Sequence, residues 1–328
     1  MKSILLASAS VFAFAGAAAA EVTFSGEANA EFNSLTGYST DAEITATLTQ
    51  ELDNGLTATA EVTFAADESA NEAADDSDIG DELSYGDITL ASDTASITFT
   101  TDLDGAAFSA VSDTIAIGDG EESGATGIAG SYSIDATTIF VSMPIAEGDT
   151  SVDSDDIEFG VSSDLGGWEV GFGYAKNATD TDFVVKGSGN AAGLDITVAA
   201  GNIAGASRWD VEVAYPVGPV TLGATVDDSE AWEVTFAYAE GPLTVDAAFD
   251  STDDYSLEGS YDVGNGLVVY AGLEDAGNDY YLGGEYDLGG GASFTASFVE
   301  DAGTPNADNE IGAQEYADGT TVGVSFEF

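Results

Sequence analysis

The chain has no cysteine and no histidine, and only four Lys and Arg residues stand against 61 Asp and Glu in 328 positions. Without Cys or His there is no disulfide framework, no zinc finger, no Cys or His nucleophile and no histidine-held haem. The shortage of cations excludes electrostatic binding of nucleic acid, which depends on many Lys and Arg contacts to phosphate. After residue 20 no run of about 18 apolar residues occurs, so no membrane-spanning helix is predicted. A formal net charge of −57 would suit a disordered acidic chain, but 17 Phe and 13 Tyr would not. At about 150 residues per domain the length suggests two domains, though a single β-barrel absorbs it as well.

Residues 1–20 read as an address rather than as structure. Lys2 precedes an apolar run from Ile4 to Ala15, and Ala18-Ala19-Ala20 stands before Glu21. A positive start, an apolar middle and a small-residue end form the pattern of a secretory signal peptide cut after Ala20. As a transmembrane helix the segment is too short, and no stop-transfer charge follows it. The expected organisation is a cleaved leader, 1–20, and a single barrel domain, 21–328. The cations left after cleavage are Lys176, Lys186 and Arg208.

From there the chain reads as strand after strand. Val322, Val324, Phe326 and Phe328 alternate with Thr321, Gly323, Ser325 and Glu327. Trp209, Val211, Val213 and Tyr215 alternate with Asp210, Glu212 and Ala214, and Trp168, Val170, Phe172 and Tyr174 with Glu169, Gly171 and Gly173. This two-residue period puts large apolar side chains on one face and small or polar ones on the other. Turn signals rich in Gly, Asp, Asn and Pro fall near 53–55, 91–95, 133–137, 164–167, 187–193, 216–219, 240–242, 262–266 and 287–291. Nine turns joining two strands each, plus a first and a last strand, predict up to 20 strands.

Aromatic residues add a second pattern. Trp209 and Tyr215, Trp232 and Tyr238, Tyr255 and Tyr261, and Tyr280 and Tyr286 lie six residues apart, and Trp168 and Tyr174 repeat the spacing. An even spacing keeps each pair on one face, and six residues of strand span about 20 Å. That approximates the height of the apolar band between the two aromatic girdles of a barrel in a bilayer. A soluble β-sandwich also alternates, but it needs a second layer of large apolar side chains, and none is present. The expected fold class is all-β: a transmembrane antiparallel up-and-down β-barrel with an even number of strands, apolar outside and polar within.

Three stretches carry a family likeness: Glu21-Val22-Thr23-Phe24-Ser25-Gly26, Tyr286-Asp287-Leu288-Gly289-Gly290-Gly291-Ala292-Ser293, and the terminal alternation from Val322 to Phe328. On these the chain resembles the Rhodobacter-type general-diffusion porins of alphaproteobacterial outer membranes. The resemblance implies a 16-stranded trimeric barrel with short periplasmic turns, seated in the outer membrane of a Gram-negative bacterium among lipid and lipopolysaccharide. It implies that the outer-membrane assembly machinery reads the C-terminal aromatic, here Phe328. It also implies an outer loop folded into the lumen as a constriction, matched here by about 101–126 with Asp102, Asp104, Asp113, Asp119, Glu121 and Glu122. This chain departs from the family in three respects: no arginine cluster can face those acids, the loop is shorter than the family's, and the strand tally from the turns exceeds 16.

Strand parity sets Asp210, Glu212, Glu233, Asp246 and Glu258 opposite large apolar neighbours, hence toward the lumen. It sends Arg208 inward near the outer mouth and Lys186 inward near the periplasmic end. An acid-lined pore concentrates cations and repels anions. The expected function is a water-filled, cation-preferring channel for passive diffusion of small ions and hydrophilic solutes. A solute-specific channel, or a structural or adhesive barrel with a plugged lumen, stands as the alternative. The small inward residues Gly171, Gly173 and Gly283 argue for an unfilled interior. Acids between Asp67 and Asp81 could gather Ca²⁺ or Mg²⁺, but neither an EF-hand loop nor a calcium-binding Gly-rich repeat is present, and no other cofactor is expected. Enzyme chemistry finds no support: with 61 acids, carboxylate pairs arise by chance, and a Ser–His hydrolase lacks its His.

Overall fold

The computed structural model describes residues 20–69, 82–100, 103, 107–108, 126–145, 157–176, 181–301, 310–312 and 314–328. The strands are β1 (Glu21–Asn33), β2 (Gly37–Glu51), β3 (Thr57–Ser69), β4 (Glu82–Ala91), β5 (Ala95–Thr100), β6 (Gly127–Ile134) and β7 (Thr137–Pro144). They continue as β8 (Ile157–Asp164), β9 (Trp168–Lys176), β10 (Thr181–Ala191), β11 (Leu194–Ile203), β12 (Ala206–Val217), β13 (Val220–Asp227) and β14 (Trp232–Glu240). Then come β15 (Leu243–Asp250), β16 (Tyr255–Gly264), β17 (Leu267–Glu274), β18 (Asp279–Gly289) and β19 (Ala292–Glu300). A two-residue pair, β20 (Glu310–Ile311) and β21 (Tyr316–Ala317), precedes the last strand, β22 (Gly319–Glu327). Among the described residues no helix is long and apolar enough to cross a membrane.

Apart from the β20–β21 pair, each strand pairs antiparallel with its predecessor, and β22 pairs with both β19 and β1. The sheet is therefore a closed ring of 20 strands. Closure runs from Glu27 opposite Glu327 to Asn33 opposite Thr321. Beyond it Phe328 N–H donates to Gly26 O at 3.0 Å, and Gly26 N–H donates to Phe328 O at 3.1 Å. The count is the one the turns predicted and not the 16 implied by the resemblance. Every one of the nine turn sequences forms a hairpin, so none is absorbed into a longer strand.

The connections of these nine hairpins are five residues or shorter and gather at one end with the start of β1 and the end of β22, while the long connections leave the other end. Their chemistry explains their tightness. Gly264, Asn265 and Gly266 have φ of 90°, 56° and 85°, and Gly289, Gly290 and Gly291 have 81°, 71° and 80°. Such left-handed runs are open to Gly and tolerated by Asn. Asp262 and Asp287 brace them by accepting the N–H of Gly264 at 2.7 Å and of Gly289 at 2.6 Å.

The two faces differ as the period requires. Phe64, Leu222, Phe236, Leu257, Leu282 and Phe326 are among the large apolar residues exposed round the outside. A soluble protein rarely exposes contiguous apolar surface beyond a few hundred Å², whereas a barrel in lipid needs it. The inner face carries hydroxyl pairs across strands: Thr45 with Thr63 at 2.9 Å, Ser96 with Ser131 at 2.8 Å and Thr244 with Ser260 at 2.7 Å. Phe236→Arg, on the outer face in the middle of β14, is expected to cost about 2–4 kcal/mol of stability in lipid vesicles. Ala237→Arg, one residue on and opposite Asp246 on the inner face, is expected to cost far less. Denaturant unfolding of both variants reads the difference.

Candidate functional site

The interior of the barrel is the site. Asp210, Glu212, Glu233, Asp246 and Glu258 lie on the inner face, opposite in parity to Trp209, Val211, Trp232, Val245 and Leu257. Registry sets acids directly across from acids: Asp210 from Asp227, Glu233 from Asp250, and Asp246 from Glu258. Single-strand reasoning missed a further row at the closure, where Glu27 faces Glu327 on one side and Glu43 on the other. Like charges placed opposite each other repel, a repulsion that water and counter-ions screen. Among the described residues no group of three or more Asp and Glu is arranged to hold a metal ion.

The cations are few and dispersed. Arg208 lies near the loop end of β12, where its guanidinium makes an exposed 3.4 Å ion pair with Asp228. Lys186 faces inward but is not near the periplasmic end: it sits mid-strand in β10, in register with Gly171 and Ala199. The broad turn signal at 187–193 misplaced it, because β10 continues to Ala191. Lys176 shares the outer face with Tyr174 at the loop end of β9.

The aromatic pairs all lie on the outer face. Trp209, Trp232, Tyr255, Tyr280 and Tyr174 stand toward the loop end of their strands, and Tyr215, Tyr238, Tyr261, Tyr286 and Trp168 toward the short-turn end. Tyr238 OH donates to Glu240 at 3.0 Å, and Tyr280 OH donates to Glu300, so outward carboxylates at strand ends are held by neighbouring phenols.

Between β5 and β6 the acids Asp102, Asp104, Asp113, Asp119, Glu121 and Glu122 lie outside the described residues. The leader 1–19 and most of the acidic stretch 67–81 do so as well. Leu103, Ala107 and Phe108 are described, and they are buried inside the barrel. Phe108 is 1 % exposed and packs with Ala175, Val184, Ala199 and Ile203. A side chain at Gly173 would crowd the Phe108 ring, and one at Gly127 would overlap Leu103. Glu158 anchors the backbone: its Oε2 accepts Ser142 Oγ–H at 2.7 Å, Ala107 N–H at 3.3 Å and Phe108 N–H at 3.4 Å.

A second inward segment, absent from the sequence reading, lies between β19 and β22. Ile311 and Tyr316 are buried with Tyr281 and Val299 against the inner wall. Tyr316 meets Tyr281 edge-on at 5.7 Å between ring centres and Tyr270 at 6.3 Å. Burial, with Tyr270 and Glu285 nearby, pushes the Tyr316 phenol up to about 12, so it stays protonated at any physiological pH.

A closed barrel with this inner wall matches a known group by sequence: the family model described as Gram-negative porin covers residues 7–302. The chain belongs to the Gram-negative porin family. Porins are non-enzymatic channels, and this porin is a barrel of the outer membrane. Solved structures resemble it distantly. A substituted porin of Rhodopseudomonas blastica aligns at 15% identity over 94% of this chain and 100% of its own, with a TM-score of 0.39. A second variant of that porin aligns at 14% identity over 94% and 100%, with a TM-score of 0.38. Another solved porin gives 17% identity over the same 94% and 100%, with a TM-score of 0.40. No curated protein matches the chain. The family assignment rests on the sequence match alone.

Glu158→Ala removes the acceptor of Phe108 N–H and of the Ser142 hydroxyl, a loss of about 1–3 kcal/mol for each buried donor left unmade. Open-channel current noise of this variant is expected to rise as the segment loosens. Glu158→Gln, which keeps an accepting oxygen, is expected to stay near the parent.

Proposed function

We propose that this porin passes small hydrophilic solutes and ions by passive diffusion and prefers cations. The observation that carries the proposal is the acid-against-acid registry of the inner wall: Asp210 and Asp227, Glu233 and Asp250, Asp246 and Glu258, and Glu27 between Glu43 and Glu327. Such a wall enriches cations in the lumen and repels anions. The acids of the 101–126 connection belong to the same reading as a narrowing of the pore, supported by the inward seats of Leu103 and Phe108. The outward Trp and Tyr rows fit girdles at the two membrane–water interfaces. Removal of residues 1–20 on export, a homotrimer, and recognition of Phe328 by the assembly machinery complete the proposal.

Swelling of proteoliposomes in isosmotic solutes of matched size tests it. The expected order of rates is cationic above neutral above anionic. The order should flatten at about 1 M salt, where the Debye length falls to roughly 3 Å. Equal rates at low salt would overturn the charge preference, and swelling with one solute alone would favour a solute-specific channel.

A further inference from the structure

Among the described residues the rule that the inner face is small or polar has few exceptions; Phe140 and Val268 stand apart, and the others fall in two groups. Val184 lies under Phe108, while Tyr270, Tyr281 and Val299 lie under Ile311 and Tyr316. Small residues complete each seat. At Gly283 any side chain would overlap the Tyr316 ring, just as Gly173 makes room for Phe108. The segment is also tied at both ends: Gly312 N–H donates to Glu274 Oε1 at 3.1 Å, and Asn33 Nδ2 donates to Asp318 O at 2.8 Å.

The positions of the two seats around the ring decide what they do together. The first segment rests on β6 to β11. The second rests on β17, β18, β19 and the closing strands β22 and β1. Strands β12 to β16 separate them on one side and β2 to β5 on the other, so the two press inward from nearly opposite sides. Beside the second segment an open cavity of about 670 Å³ remains, lined by Asn29, Glu31, Asp41, Glu285, Thr295 and Gln314 among others.

We infer that the β20–β21 segment, with Tyr316 as its wedge, is a second constriction element that sets the pore width jointly with the inward Leu103 and Phe108 between β5 and β6. Solute then crosses this level through the acid-lined space beside it. The segment is held more by shape than by hydrogen bonds at its contact with the wall. Ser297 Oγ and Tyr316 OH, 5 % and 7 % exposed as residues, are buried there without a hydrogen-bond partner. The inference rests on the proposed diffusion pore, and its test separates the two.

Unitary conductance and the size of neutral polymers admitted are measured in planar bilayers for the parent, Tyr316→Ala and Gly283→Val. The first variant removes the wedge and the second expels it from its seat. Both are expected to raise conductance and admit larger polymers. Because the chain has no cysteine, Ser297→Cys supplies a second readout. Its thiol is expected to resist a charged methanethiosulfonate while the segment is seated, and to react once Tyr316→Ala is added. A conducting parent with unchanged conductance and polymer size in both variants would overturn the second constriction and leave the diffusion pore standing. A parent that inserts but does not conduct would overturn the diffusion pore. In that case a reactive Ser297→Cys thiol in the otherwise unaltered chain would overturn the seating as well.

Discussion

Hydrocarbon offers no hydrogen-bond partner to a peptide group, and the pairing of β1 with β22 is how this chain meets that condition. Without it both strands would present a row of unpaired N–H and C=O groups to lipid. Antiparallel closure by consecutive hairpins gives an even number of strands and brings the start of β1 and the end of β22 to one end. The final backbone bonds between Gly26 and Phe328 extend the seam past the last registered pair. A closed ring also separates two environments, and the two-residue period of a strand then assigns every side chain to one of them.

That assignment makes the interior informative wherever it breaks. A lumen-facing Val184, Tyr281 or Val299 would be an apolar group in water unless something covered it. In each case a connection from the loop end folds in and does so. The inward glycines have the same explanation. Gly173 and Gly283 mark room taken by Phe108 and Tyr316 rather than open space. The lumen is partly filled, and an acid-lined cavity persists beside the filling.

The barrel was legible in the sequence because its determinants are local. Asp-Leu-Gly-Gly-Gly and Asp-Val-Gly-Asn-Gly encode their turns through left-handed φ values and an Asp accepting the N–H two residues on. The alternation Trp209 to Tyr215 encodes a face without reference to any other strand. Acid registry was half legible: parity placed Asp246 and Glu258 inside, but only pairing sets them opposite each other. The destinations of the connections were not legible in the same way. Phe108 meets Val184, and Ile311 meets Tyr281, across long stretches of chain, and no period marks such contacts. Ile311 and Tyr316, the two large apolar residues in an otherwise small and polar stretch, were the available signal for the second segment. The loop expected from the family likeness drew attention to 101–126 instead.

Stability and conduction pull on the same residues. Acids facing acids across β14, β15 and β16 weaken the wall by mutual repulsion, and water with counter-ions relieves it. A wall of this kind carries a cost in stability, and the proposed cation preference is the function that cost would serve. The most direct measurement is the zero-current potential of the refolded porin in a planar bilayer under a tenfold KCl gradient. The account predicts stepwise conductance and a potential of cation-selective sign, a large part of the ~59 mV limit for a monovalent ion. Stepwise conductance with a potential near zero or of anion-selective sign would contradict it.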